Sequence, residues 1–366
     1  MTELVFCHLL NDASGSPRVL LGAMRALCSD GSRGKLFVGS EGRGVLEQCQ
    51  IPITRYWNVR PRRRLLKPFA YLASQASLFL ALLRDRTIAR DAVIYVNTLL
   101  PFGAALFGKF TGRTVVYHIH ESSVESRALR SLLRFVVRRT SSANVYVSEA
   151  HALALPIPGV PAFTVHNALD EGMAEAAARS VYRWRPGGVF RVLMVGSLRD
   201  YKGIPEFLSL VASLEGRADI RFDLVVNDEV EEVERYSPGR HRPRRLQIHP
   251  RTQDMARFYA DANVVLNLTR VDLCEETFGM TILEAMSFGV PVIVPPVGGP
   301  AELVADGIQG FLVDSRHGAR LRERLLELAD DDALCAAMSE AARRRARAFS
   351  LPKFNAAIRA VVSGTC

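Results

Sequence analysis

The chain has 366 residues, with 47 Lys and Arg against 38 Asp and Glu, a net charge of +9, and a pI near 9.5. Hydrophobic residues at 48% and charged residues at 23% exclude long disorder, collagen-like structure and a coiled coil. At roughly 150 residues per domain, the length predicts two domains, each able to bury a core without disulfides or metals.

The apolar run Leu4–Leu10 lacks a basic leader and a small-residue cleavage site and meets Asn11-Asp12, so it reads as a first strand and not a signal peptide. Ser16-Pro17 then opens a helix, with Ser16 as N-cap and Pro17 at the first helical position. Further strand-length runs follow at Lys35–Val38, Ala92–Val96, Thr114–Ile119 and Ala143–Val147. A helix fills Leu65 to Arg84. Its apolar part, Phe69 to Leu83, is broken by Ser74, Gln75 and Ser77 and falls short of the ~20 residues of a membrane span. Near-continuous apolar strands predict a parallel sheet covered on both faces.

Between Glu171 and Gly188 the chain turns rich in Ala, Arg and Gly, and then the strand–helix rhythm restarts. Strands are predicted at Phe190–Val195, Phe222–Val226, Leu246–Ile248, Val264–Leu268, Pro291–Val294 and Phe311–Val313. Helices are predicted to begin near Pro205, Gln253, Met280 and Pro300. The expected domains are 1–175 and 189–345, with a terminal segment 346–366. Arg62-Arg63-Arg64, Arg242-Pro243-Arg244-Arg245 and Arg343-Arg344-Arg345 read as solvated faces. The cysteines at 7, 28, 49, 274, 335 and 366 show no metal spacing and read as reduced thiols of a cytosolic protein.

Two parallel-sheet domains place ligand crevices at the carboxyl ends of their strands. The most informative loop there is Thr269–Glu276, which leads through Thr277-Phe278-Gly279 into the helix Met280–Phe288. Glu276 lies before this helix and Glu284 inside it, so the two carboxylates address different parts of one ligand lying across the helix start. The helix N-terminus itself suits a phosphate. Val297-Gly298-Gly299-Pro300, followed by Glu302, supplies a second glycine-bearing turn after the neighbouring strand.

From Glu276 through Glu284 to Val292, and again at Gly298-Gly299-Pro300-Ala301-Glu302, the sequence resembles the signature of retaining glycosyltransferases of family 4. The resemblance implies a GT-B fold, α/β, with two Rossmann-like domains facing across a cleft, the first binding acceptor and the second a nucleotide-sugar. It assigns Lys202, in Lys202-Gly203 after Val195-Gly196-Ser197-Leu198, to the donor diphosphate. Ser197 stands where the family commonly has Arg, and Arg199 is the nearest basic substitute. His118-Ile119-His120-Glu121 resembles the family's His-Asp/Glu motif, with His120 rather than His118 beside the transferred sugar. The loop Asn11–Ser16 with Gly15 resembles the family's first glycine loop, Val165-His166-Asn167 with Asp170 the close of the first domain, and the stretch after Ser350 the helix that crosses back to it.

The implied activity is metal-independent, retaining transfer of a hexose-type sugar from a UDP-, GDP- or dTDP-sugar to a hydroxyl of a saccharide or lipid-linked acceptor, in bacterial cell-surface polysaccharide assembly. Glu276, His120 and Lys202 are the implied catalytic residues. Gly15, Ser197, Arg199, Lys202, Phe278, Gly279, Met280, Thr281 and Glu284 are the implied donor contacts, with Glu284 on the ribose diol. Asn227, Arg251 and Thr269–Cys274 are expected to shape donor identity. No metal or other cofactor is implied. The rival activities are a sugar-nucleotide epimerase, a phosphorylase, or a catalytically silent sugar-binding subunit. Nucleic acid is not expected as a partner, because no recognition motif accompanies the charge. The first strand lacks a following Gly-x-Gly-x-x-Gly, which speaks against a dinucleotide enzyme. The basic stretch Arg60–Lys67 before the apolar helix Phe69–Leu83, and the basic-apolar stretch Arg127–Arg139, point to a cytoplasmic protein peripheral at the inner face of the plasma membrane.

Overall fold

The computed structural model describes every residue except Met1, Ala13, Asp30, 122–125, 237–244, Gln253 and Cys366, and it leaves the side chain of Arg64 undescribed. Arg242 to Arg244, the start at Gln253 and Cys366 therefore lie outside the described residues. The chain divides into two units, Met1–Asn167 with Pro352–Cys366, and Ala168–Leu351.

The first unit runs β1 (Leu4–His8), α1 (Gly15–Cys28), β2 (Gly34–Gly39), β3 (Ile53–Tyr56), α2 (Lys67–Arg84), β4 (Val93–Asn97), α3 (Phe102–Phe110), β5 (Val115–Ile119), α4 (Arg127–Thr140), β6 (Ala143–Tyr146), α5 (Glu149–Ala154) and β7 (Ala162–Thr164). Among the described residues these strands form one parallel sheet, ordered β3-β2-β1-β4-β5-β6-β7. The central strands β1, β4 and β5 are buried along their whole length, as their unbroken apolar runs require. α1 begins earlier than its sequence suggests. Its N-cap is Ser14, not Ser16, because Asp12 Oδ1 accepts the Ser14 backbone N–H at 2.9 Å and its hydroxyl at 2.5 Å, closing an Asx turn that ends the loop two residues sooner.

The second unit runs α6 (Glu171–Arg179), β8 (Phe190–Gly196), α7 (Ile204–Ser213), β9 (Ile220–Val226), α8 (Val230–Tyr236), β10 (Leu246–His249), α9 (Met255–Asp261), β11 (Val264–Leu266), α10 (Met280–Ser287), β12 (Val292–Val294), α11 (Gly299–Leu303), β13 (Gly310–Leu312), α12 (Gly318–Asp330) and α13 (Asp332–Ala346). Its sheet is parallel, ordered β10-β9-β8-β11-β12-β13. One core gathers Phe190, Val192 and Met194 with Phe222, Leu224 and the Leu321/Leu325/Leu328 stripe of α12.

α14 (Leu351–Thr365) belongs almost wholly to the first unit. Arg359 fastens it there by donating to Ala26 O at 2.8 Å and Ser29 Oγ at 2.5 Å. Among the described residues no helix is long and apolar enough to cross a membrane.

One arginine run departs from its reading as a solvated face. Arg343 turns inward and donates to the carbonyls of Ala177, Ser180, Ser287 and Phe288 at 2.7–3.2 Å. It thereby satisfies the open carbonyl ends of both α6 and α10. Arg344 stays solvated, whereas Arg345 donates to Leu303 O and Glu302 O.

Candidate active site

In the second unit, β8 leads outward to β9 and β10, while β11 leads the other way to β12 and β13. The crevice at the carboxyl ends of β8 and β11 is the topological switch point, where open parallel sheets bind ligands. Ser197, half-buried, follows β8 directly. The loop is pinned by Leu198 N–H, which donates to the buried Asp228 carboxylate at 2.7 Å. Arg199 is exposed. Its carbonyl accepts the Lys202 N–H at 2.9 Å, closing a single 3₁₀ turn, Asp200–Lys202, that presents Lys202.

From the end of β11 the chain returns to the same place. Lys202 Nζ donates to Glu276 Oε2 at 2.7 Å, and Thr269 Oγ1 donates to the same oxygen at 3.1 Å. The Lys202 and Glu276 side chains are 24% and 21% exposed. Burial alone would lower the Lys202 pKa, but the Glu276 carboxylate outweighs it and raises the ammonium above its ordinary value. Burial alone would raise Glu276, but the charge and hydrogen bond of Lys202, with Thr269 and Asn267, hold it below the usual glutamate value. Both groups are therefore charged at neutral pH.

α10 starts beside this pair. Its N-cap, Gly279, has φ 102°, and no side chain caps the helix. The first-turn N–H groups and the positive end of the dipole are thus left toward the crevice. Met280 and Thr281 are half-buried in that turn. Phe278 is only 2% exposed, and its ring packs edge-on against Phe349 with centroids 5.9 Å apart, so it presents no open surface to a ligand. Glu284 is 8% exposed and accepts the Tyr259 hydroxyl at 2.5 Å. Tyr259, buried in α9, has no motif in the sequence to announce it. Gly298 closes the second turn at φ 72°, ψ −155°, a region open in practice only to glycine. The neighbouring Gly299 N–H donates to Glu276 O at 2.9 Å. Asn227 and Arg251 pair with each other, Arg251 Nε donating to Asn227 Oδ1 at 3.1 Å.

In the first unit the switch point lies between β1 and β4, and it holds a polar cluster that sequence reading found only in part. Gly15 opens α1 there, with empty space where a side chain would start. His120 Nε2 lies 2.9 Å from Asn97 Oδ1, and Asn97 Nδ2 lies 3.1 Å from His8 Nδ1. His118 is fully buried, its Nδ1 2.8 Å from the Tyr95 hydroxyl. The two histidine rings lie 4.3 Å apart, and His120 is the one half-open to solvent. Burial lowers the pKa of His8 to about 4 and of His118 to about 3. It also puts His120 well below the ordinary value, aided by the neighbouring His118. All three are neutral at pH 7.

Glu121 accepts the Leu99 N–H with both oxygens, at 3.0 and 3.1 Å. Burial raises its pKa despite these bonds. Between Asn97 and Leu99 stands Thr98 at φ 74°, a strained setting for a β-branched residue. Asp170 caps α6 by accepting the Met173 N–H. Among the described residues no three His, Cys, Asp or Glu side chains gather as a metal site.

Two parallel Rossmann-like sheets, one in each unit, define a class of fold, and the whole chain superposes on solved members of it. Over 100% of both chains it matches Anabaena Alr3699/HepE, solved in complex with UDP-glucose, at TM-score 0.79 and 21% identity. The chain has the GT-B fold of the glycosyltransferases. Residues 184–345 match the family model described as glycosyl transferases group 1.

It is 27% identical over 266 residues to the D-inositol 3-phosphate glycosyltransferase of Pseudarthrobacter chlorophenolicus, spanning 64% of this chain and 58% of that protein. It is 50% identical over 52 residues to the sucrose synthase of Denitrovibrio acetiphilus, 14% of this chain and 7% of that one. The chain thus spans less than two thirds of the length of the curated relatives it matches.

Proposed function

We propose that this protein is a retaining glycosyltransferase that moves a hexose-type sugar from a nucleotide-sugar to a hydroxyl of a saccharide or lipid-linked acceptor, in the assembly of bacterial cell-surface polysaccharide. The observation that carries this reading is the Lys202–Glu276 pair beside the uncapped start of α10. A nucleoside diphosphate leaves as an anion, and a lysine with helix N–H groups is preorganised to receive it. Glu276 faces the cationic sugar and its hydroxyls, and Lys202 keeps it ionised. Glu284 lies one helical stretch deeper for the ribose diol. His120, neutral in the first unit, is the proposed sugar contact there. No step in this scheme requires a metal.

An exposed surface of the first unit supports the lipid-linked acceptor. Phe69, Leu72, Leu80 and Leu83 are exposed on α2 at spacings that put them on one face, while Ser74 and Gln75 turn inward. Arg62, Arg63 and Lys67 are exposed at the start of that helix. An apolar stripe beside cations suits an anionic membrane, so the protein is proposed to work at the cytoplasmic face of such a surface.

The test begins with UDP-, GDP- and dTDP-sugars, read by thermal shift and by acceptor-dependent release of nucleoside diphosphate. Retention of anomeric configuration in the product and unchanged turnover in EDTA are the expected results. An inverted product, or loss in EDTA restored by Mg²⁺, overturns the mechanism. Epimerised donor or sugar phosphate as product identifies the rival activities, and donor binding without turnover identifies the silent subunit. Salt-sensitive flotation with anionic liposomes, lost in Phe69→Ser/Leu72→Ser, tests the membrane surface.

A further inference from the structure

The second unit's sheet carries a row of three arginines far from the switch point. On β8 and β9, Phe190, Val192, Ile220 and Phe222 point into the core, so Arg191 and Arg221 point to the other face. The register pairs Arg191 with Arg221. The Phe222 N–H donates to Arg245 O at 2.9 Å, and β10 continues beside β9 from Leu246 opposite Phe222, which sets Arg245 next to Arg221. Three arginine positions therefore stand abreast on adjacent strands, their backbones spaced by ~4.8 Å.

Such a row of like charges is unfavourable by itself, and the protein compensates little of it. Asp223 is the carboxylate among them. It is engaged by His249 Nε2 at 2.8 Å and reaches Arg191 Nη1 only at 3.9 Å. Among the described residues, Arg221 forms no ion pair, and Arg245 Nη1 is buried with no hydrogen-bond partner. The row lines one concavity of about 170 Å³. A second of about 250 Å³ continues from it, shares Arg191, Asp223 and Gln247, and is flanked by Arg257 and Asp261 of α9, so the three-arginine end is the more positive of the two.

We propose that this trough is an anion site for a small ligand bearing a phosphate or diphosphate group. Arginine forks match phosphate oxygens bidentately. The unpartnered Arg245 nitrogen supplies a donor already desolvated, and the trough is too small for a polymer. The site is separate from the donor crevice. Arg191 is the second residue of β8, and Lys202 lies beyond that strand's far end, about 16 Å away along the strand alone. The proposal does not depend on which reaction the crevice performs.

The test uses the full chain with Lys202→Ala, which removes the crevice's own cation. Inorganic pyrophosphate and glycerol phosphate are titrated calorimetrically at constant ionic strength. One saturable site is expected, weakened at least about tenfold in Arg221→Gln/Arg245→Gln. Tighter pyrophosphate binding identifies a diphosphate ligand, and tighter glycerol phosphate binding a phosphate ester. The single exposed variant Arg221→Gln carries the same test if the double variant fails to fold. Absence of saturable binding by both probes at millimolar concentration, or binding that the arginine variants leave unchanged, overturns the proposal.

Discussion

The ammonium of Lys202 and the carboxylate of Glu276 meet at 2.7 Å, although 74 positions separate them in the chain. Each is the other's counter-charge until a ligand arrives, which makes structural and chemical roles separable. Lys202→Met leaves a mostly buried carboxylate without its cation and is expected to cost about 1–3 kcal/mol. Lys202→Met/Glu276→Gln is expected to regain most of that, while the proposed sugar transfer stays lost in both. Urea unfolding and turnover, measured on the same samples, check this. Recovered turnover in the double variant would refute the chemical role.

The pair also shapes the pH dependence. Glu276 lies below its ordinary pKa, so its contribution is present above the unfolded value and is lost as pH falls through the folded one. Lys202 lies above its ordinary pKa, so its contribution holds below the unfolded value and is lost as pH rises through the folded one. The pair's stabilisation is expected to be flat across neutral pH.

Gly298 supports Glu276 from below. A side chain there would begin 2.6 Å from Glu276 O and 2.9 Å from Glu275 Cγ. Gly298→Ala is expected to shift Glu276 and weaken the thermal response to the nucleotide-sugar proposed as donor. Gly307→Ala is the control, because its φ is also positive, at 74°, but the space around it is open. It is expected to cost about 1 kcal/mol of backbone strain and to leave that response intact.

The buried histidines set an acid limit for the first unit. Their folded pKa values lie below the unfolded value near 6.5, so the unfolded chain takes up protons first as pH falls. Stability is expected to be flat above about pH 6.5 and to fall below it, by about 1.4 kcal/mol per buried histidine at pH 5.5. His118→Asn is expected to flatten this slope. Melting temperatures at pH 7.5 and 5.5 decide it, and an equal fall in the variant would count against the assignment.

Arg343 holds four carbonyl oxygens, whereas Arg344 is 66% exposed against Glu340. Arg343→Ala is expected to lose about 3 kcal/mol and Arg344→Ala under about 0.5 kcal/mol. Denaturant midpoints compare the two.

These cases show what the sequence made legible. The central strands and the segment from Glu276 to Glu284 were readable because their signals are local: an apolar run, or a strand, loop and helix in one stretch. β3 and β7 escaped because they are short edge strands with exposed residues, Thr54 and Arg55, and Ala162 and Phe163, and so lack an apolar run. α12 and α13 escaped because their apolar stripes are diluted by Arg and Glu, although Leu321, Leu325 and Leu328 keep helical spacing. Asn97 beside His120, and Tyr259 beside Glu284, are partners only in three dimensions. Arg343 looked like its solvated neighbour Arg344 because the run gives no phase.

α14 follows the whole second unit in sequence yet completes the first unit. Arg359 reaches back across 333 positions to the end of α1. During synthesis, therefore, the sheet of the first unit emerges from the ribosome early but lacks its closing helix until the entire second unit has been translated. Domains commonly fold in the order they are made. Here the earlier one must wait, with the end of α1 uncovered, until α14 has been made.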